Sequence, residues 1–153
     1  MSDRDVAWRY RPWSELTTGE LYRIMTLRQR VFVVEQSCPY LDADGKDDRA
    51  HHLWCDDAAG QACVAYLRVF APGVVYAEAS LGRIVTAPEV RRSGLGRPLV
   101  REGLARIAAA HGAVPVRIGA QKYLEPFYAG LGFVRASDDY LEDGIPHLEM
   151  VRA

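Results

Sequence analysis

Cysteine is scarce in this chain: Cys38, Cys55 and Cys63 are the whole set, and no Cys-x-x-Cys spacing joins them. An odd, sparse set excludes a disulfide framework and is expected to be free thiols in a reducing compartment. Cys55 and Cys63 flank a turn-like run over 56–61 and read as small buried hydrophobes, and Cys38 has no cationic neighbour to activate it. No charge of one sign dominates, because nineteen basic side chains face twenty acidic ones for a net charge of -1. That removes any global electrostatic case for nucleic acid or an anionic membrane as a partner. No apolar run reaches bilayer-spanning length. The polar, acidic opening MSDRDVAW is not a secretory pattern, so a cytoplasmic location is expected. Repeats, linkers and low-complexity segments are missing too, and 153 residues, about half of them hydrophobic, fit one domain over 1–153 with its own core.

Several catalytic signatures are missing as well. A P-loop is excluded because no Gly-Lys-Ser/Thr follows the glycine turn, and Gly-x-Ser-x-Gly of the serine hydrolases is absent. A Rossmann fingerprint is disfavoured, since Leu99 stands where its third glycine belongs and the turn lies past mid-chain. No metal site is expected: His51 and His52 are adjacent and face opposite ways in a strand, and no glutamate closes an EF-hand frame after Asp42.

What is present reads as alternating strands and helices. Ala7–Trp13 alternates like a half-exposed strand, and Thr17-Thr18 precede a helix whose apolar positions run from Leu21 to Phe32. The segment from Glu35 to Arg49 is a long loop rich in aspartate, of a length usually kept for a use. Two readings of it stay open: a cation-attracting gate over the site, or a solvated Asp-Gly turn. His51–Asp56 and Gln61–Phe70 form a hairpin; Val74–Thr86 is a strand in which Gly82 marks a bulge or a close ligand approach. A helix follows to His111, then a strand Val114–Ala120, a helix Tyr123–Leu131 and closing strands from Gly132 and Ile145. The predicted class is α/β (α+β): a mixed central sheet of about six or seven strands with helices on both faces.

The sharpest motif is Arg91-Arg92-Ser93-Gly94-Leu95-Gly96, between a strand and an amphipathic helix. Its glycines let successive backbone N–H groups converge, and the helix adds its positive dipole end. Pro98 is harmless only in the first helical turn, so the helix must begin close by and the motif is the turn itself. Such a turn suits phosphate, although alone it is a weak signal that a plain strand-to-helix connection also satisfies.

The run LGRIVTAPEVRRSGLGRPLV resembles the acetyl-CoA motif of the GNAT superfamily of N-acetyltransferases, whose pattern is Gln/Arg-x-x-Gly-x-Gly/Ala. A second family landmark, Phe127-Tyr128-Ala129-Gly130-Leu131-Gly132-Phe133, follows at the expected distance. Within the superfamily the chain is similar to ElaA-type proteins through Phe32–Gln36, Cys38-Pro39-Tyr40, Asp42-x-Asp44-Gly45, Gly119-Ala120-Gln121 and Tyr140–His147. Arg97 and Pro98 depart from the neutral helix formers of many relatives and imply a tighter helix start. The resemblance implies a GNAT fold, acetyl-CoA as acyl donor, and an acetyl group moved to a primary amine of a small molecule or peptide. It implies that Arg91, Arg92, Ser93, Gly94, Leu95, Gly96 and Arg97 hold the diphosphate, and that the backbone of Ile84, Val85 and Thr86 pairs with the pantetheine arm. Tyr128 aligns with the tyrosine that protonates the departing thiolate. For the base, Glu35 and His51 are the leading candidates, with His147 and Glu78 behind them. A CoA-binding sensor and a protein-lysine acetyltransferase are the alternative readings, and a homodimer is a guess from resemblance.

Overall fold

The computed structural model describes residues 6–153, so most of the polar opening segment read above lies outside the described residues. Among the described residues one sheet carries all eight strands: β1 (Arg9–Pro12), β2 (His51–Asp56), β3 (Cys63–Phe70), β4 (Ala79–Thr86), β5 (Val116–Gln121), β6 (Val134–Arg135), β7 (Tyr140–Glu142) and β8 (Ile145–Arg152). Their order is β1-β2-β3-β4-β5-β8-β6, with β7 also pairing with β8. Neighbours are antiparallel except β4 and β5, which run parallel. The helices are α1 (Thr18–Arg28), α2 (Gly96–His111) and α3 (Glu125–Ala129).

Every residue of β3 is buried, which in a sheet requires cover on both faces. Leu67 points to one face, where a Cβ added at Gly103 of α2 would lie 3.0 Å from Leu67 Cδ2. Tyr66 points to the other face, where the Arg28 guanidinium of α1 lies 5.6 Å from its ring centre. Side-chain alternation along one strand thus separates the two helices.

The first helix starts where the two threonines indicated. Thr17 Oγ1 accepts from the Glu20 N–H at 3.1 Å, and Glu20 Oε1 accepts from the Thr17 N–H at 2.9 Å. This capping box satisfies two otherwise orphaned donors. The α-helical stretch ends at Arg28, and residues Gln29–Glu35 continue as a π-helix. An apolar stripe over 21–32 cannot reveal that widening, because both helix types bury a similar face.

Expected strand Val74–Thr86 shrinks to β4 at Ala79–Thr86. Gly73 sits at φ +86, and its N–H bonds the Tyr76 carbonyl at 2.8 Å, so the first residues curl into a turn instead of extending. The expected helix at Tyr123–Leu131 divides into a 3-10 turn, Lys122–Leu124, and the short α3. The strand expected from Gly132 shrinks to β6, two residues long, and the sheet gains β7, a piece of three residues too short to register as a pattern. Among the described residues no helix is long and apolar enough to cross a membrane, and no group of three or more His, Cys, Asp or Glu is placed to hold a metal ion.

Candidate active site

Strand β4 carries the irregularity that builds the site. Tyr66 pairs with Val85 but Arg68 pairs with Gly82, so β4 has one residue more than β3 between those points. The bulge contains Arg83, a non-glycine residue at φ +50. A left-handed conformation there costs on the order of 1–3 kcal/mol and persists only when its surroundings hold it. They do. Arg83 Nη2 donates to the Asp42 carbonyl at 3.1 Å, and its Nε lies 2.7 Å from Asp42 Oδ1 without an N–H aligned on that oxygen.

Just before the bulge, from Leu81 on, β4 and β5 part company. They pair only at Ala79–Val116 and Ser80–Arg117, so the β5-facing backbone from Leu81 to Thr86 lacks a strand partner. A cleft of about 850 Å³ opens along this divergence. Its walls come from the π-helix and the following loop, from β4, from the start of α2, from α3, and from the ends of β5 and β8.

The glycine turn closes one end. A 3-10 turn over Pro88–Ser93 leads to Gly94 at φ +75, and α2 begins at Gly96. Pro98 therefore stands in the first turn, as its chemistry demands. Leu95, the N-cap residue, makes no side-chain capping bond, so the first-turn donors of a sixteen-residue helix keep no side-chain partner. Arg91, Gly94, Gly96 and Arg97 line the cleft, joined by Arg101, which sequence reasoning missed. Arg101 follows Arg97 at i+4, a spacing that places both on one helix face. Arg92 and Ser93 are exposed outside the cleft lining, and the Leu95 side chain is in the core, so these three have only backbone to offer there.

Tyr128 lines the cleft from α3, only 4% exposed, with its ring edge-on to Phe127 and Phe133. Burial, with a smaller contribution from Tyr123, pushes its hydroxyl well above the ordinary tyrosine range. The group stays protonated at neutral pH and is a donor. Ile84, Val85 and Thr86 lie on the stretch of β4 that has no strand partner on its β5 side, and they line the same cleft.

The base candidates separate. Glu35 lines the cleft at the end of the π-helix, but Arg91 Nη1 donates to its Oε1 at 2.6 Å. His51, expected at the site, lies outside the cleft: it is exposed and its ring stacks on Tyr10 at 5.2 Å. Strand alternation turns it away while its neighbour His52 points into the core. Glu78 lies outside the lining and accepts from Arg117 at 2.9 Å. His147, from the start of β8, does line the cleft.

The aspartates of the loop are held by arginines instead of standing in solvent. Arg28, fully buried, donates to Asp42 at 2.7 Å and to Asp47 at 2.8 Å. Arg68 donates to Asp47 at 2.9 Å and pairs with Asp44, which also meets Arg83 at 3.4 Å. His52 Nε2 donates to the Asp47 carbonyl at 2.9 Å, and its Nδ1 accepts from the Tyr66 hydroxyl at 2.7 Å. Burial holds His52 below its ordinary pKa, consistent with a neutral ring. These contacts tie α1, the loop, β3 and the β4 bulge into one unit. The missed signal was a count of arginines on neighbouring elements able to match the aspartates.

Comparison with known proteins places the chain among relatives. The family model described as "Acetyltransferase (GNAT) domain" matches residues 48–153. ElaA of Escherichia coli is 36% identical over 151 residues, covering 96% of each chain. A UPF0039 protein of Synechocystis is 35% identical over 147 residues, covering 96% of this chain and 95% of that one. Among solved structures, an acyl-CoA N-acyltransferase from Pseudomonas aeruginosa superposes with a TM-score of 0.90 at 37% identity, covering 97% of this chain and all 100% of the other. The crystal structure of E. coli ElaA gives a TM-score of 0.87 over 97% of this chain and 99% of its own. With its parted strands, its glycine turn at a helix mouth and relatives matching end to end, the chain belongs to the GNAT acetyltransferase family, in its ElaA-type branch.

Proposed function

We propose that the protein is a cytoplasmic, single-domain N-acyltransferase that moves the acetyl group of acetyl-CoA to a primary amine of a small molecule or peptide. One observation carries the reading: unpaired β4 backbone runs directly toward a left-handed glycine turn and an uncapped helix start. A ligand with amides at one end and a diphosphate at the other matches that sequence of groups. The pantetheine amides pair with backbone at Ile84–Thr86 like an added strand. The N–H groups from Arg91 to Arg97 take the diphosphate, while Arg91, Arg97 and Arg101 supply charge. Arg91 then exchanges the Glu35 carboxylate for a phosphate oxygen.

In the transfer, a neutral amine attacks the thioester carbonyl carbon, a C–N bond forms and the C–S bond breaks. Tyr128, held protonated by burial, gives its proton to the departing sulfur. Acetyl-CoA is a substrate here, consumed in each cycle.

Titration calorimetry with CoA, coupled to thiol release from acetyl-CoA across amines, polyamines, amino acids and peptides, tests the reading. Saturable CoA binding and thiol release with at least one amine class are expected. Binding without release from any amine would leave a CoA-binding module, and no heat of binding at millimolar CoA would remove both.

A further inference from the structure

We infer that His147 is the base that removes the acceptor's ammonium proton, an assignment that rests on the acyltransfer reading above. The hairpin Tyr140–His147 sets it up. Asp143 at φ +52 and Gly144 at φ +75 form a tight two-residue turn, the geometry that suits the twist of flanking strands. That turn brings β7 beside the start of β8, pairing Tyr140 with His147, while β5 pairs Gln121 with His147 from the other side. His147 is thus tied between two strands, 7% exposed, and lines the cleft.

Its tautomer follows from its partner. His147 Nδ1 lies 2.6 Å from the Ile145 carbonyl oxygen, and a carbonyl only accepts, so Nδ1 carries the hydrogen. In the neutral ring the lone pair is then on Nε2. Glu142 Oε2 stands 3.4 Å from Nε2, close enough to stabilise a proton that arrives there. The Tyr140 ring stacks on the imidazole with centres 5.9 Å apart. From β7 the histidine meets Glu142 and Tyr140, and from β5 the uncharged Gln121. Glu149, on the same face of β8, is engaged by Arg117 at 3.2 Å.

Two other carboxylates near the cleft are committed to arginines. Glu35 is bonded to Arg91, and Asp42 is bonded to Arg28 and paired with Arg83. Of the remaining carboxylates in the lining, Glu142 faces His147 itself and Asp143 stands in the turn. The proton count closes. His147 Nε2 takes the first proton from the ammonium and passes it to solvent. After attack the nitrogen loses its second proton, which restores Tyr128 once that hydroxyl has protonated the sulfur.

His147→Asn keeps a side-chain N–H able to reach the Ile145 carbonyl while deleting Nε2. Thiol release is measured with ethylamine, protonated at neutral pH, and with trifluoroethylamine, largely neutral there. His147→Asn should lower kcat/KM for ethylamine by roughly two to four orders of magnitude, with the loss shrinking as pH rises, and should largely spare trifluoroethylamine. Glu142→Gln removes the charge facing Nε2 and should lower kcat/KM for ethylamine more than for trifluoroethylamine. Calorimetric CoA affinity equal to wild type establishes that the variant is folded; His147→Gln replaces any variant that fails this check. An equal loss for both amines, or no loss for either, overturns the assignment while leaving the acyltransfer reading intact. A wild-type protein that binds CoA but releases no thiol with any amine overturns both.

Discussion

Tyr128 owes its chemical state to its setting, since two phenylalanine rings and the cleft wall keep water from most of it. A hydroxyl whose pKa is raised remains protonated across the working range, so it imposes no alkaline limb on the rate below about pH 10. Tyr128→Phe keeps the ring and deletes the donor. Turnover is expected to fall by roughly two to four orders of magnitude, the range for a lost general acid, with CoA affinity by calorimetry nearly unchanged. Unchanged turnover would end the proposed role. The position was legible from sequence because the landmark around it has fixed spacing. His51 was misplaced for the opposite reason: the side a strand residue faces depends on register, and register with β1 and β3 is set by distant residues.

At the scale of elements, the loop from Asp42 to Asp48 is the part sequence could not decide. Its partners lie far away in the chain, with Arg28 fourteen positions before Asp42 and Arg68 twenty-four after Asp44. Burial pushes Asp47 up, but bonds to Arg28 and Arg68 outweigh it and hold the carboxyl below its ordinary range; burial likewise opposes the hydrogen bond and charge of Arg68 at Asp44, and the arginine wins. A carboxyl depressed in the folded state contributes stability that is complete above its unfolded pKa and disappears as pH falls. Thermal midpoints should therefore be steady near neutrality and drop below about pH 4. Arg28→Ala takes one of two arginines from each of two buried carboxylates and should cost about 1.5–3 kcal/mol in urea denaturation at neutral pH. A loss under 1 kcal/mol would show that the network does not hold the loop. The glycine turn, by contrast, was legible because local chemistry fixes it: Pro98 bounds the helix start, and Gly94 takes a conformation that other residues resist.

For the molecule as a whole, the layout of a mixed sheet with helices on both faces was visible in the alternation of strand and helix patterns. The divergence of β4 from β5 was not. No residue type marks where two strands stop pairing, although Gly82 hinted at irregularity next to the bulge that follows the last pair. Among the described residues only two backbone register pairs link the strands β1–β4 to the strands β5–β8, so the sheet has a seam. Amide hydrogen exchange should find the β5–β8 half opening at lower free energy than the fully buried β3, as units of unequal stability do. A ligand lying along that seam would stitch the halves together, so CoA should slow exchange on both sides at once, including amides it never touches. Slowing confined to residues 84–101 would mean that the two halves were already acting as one body.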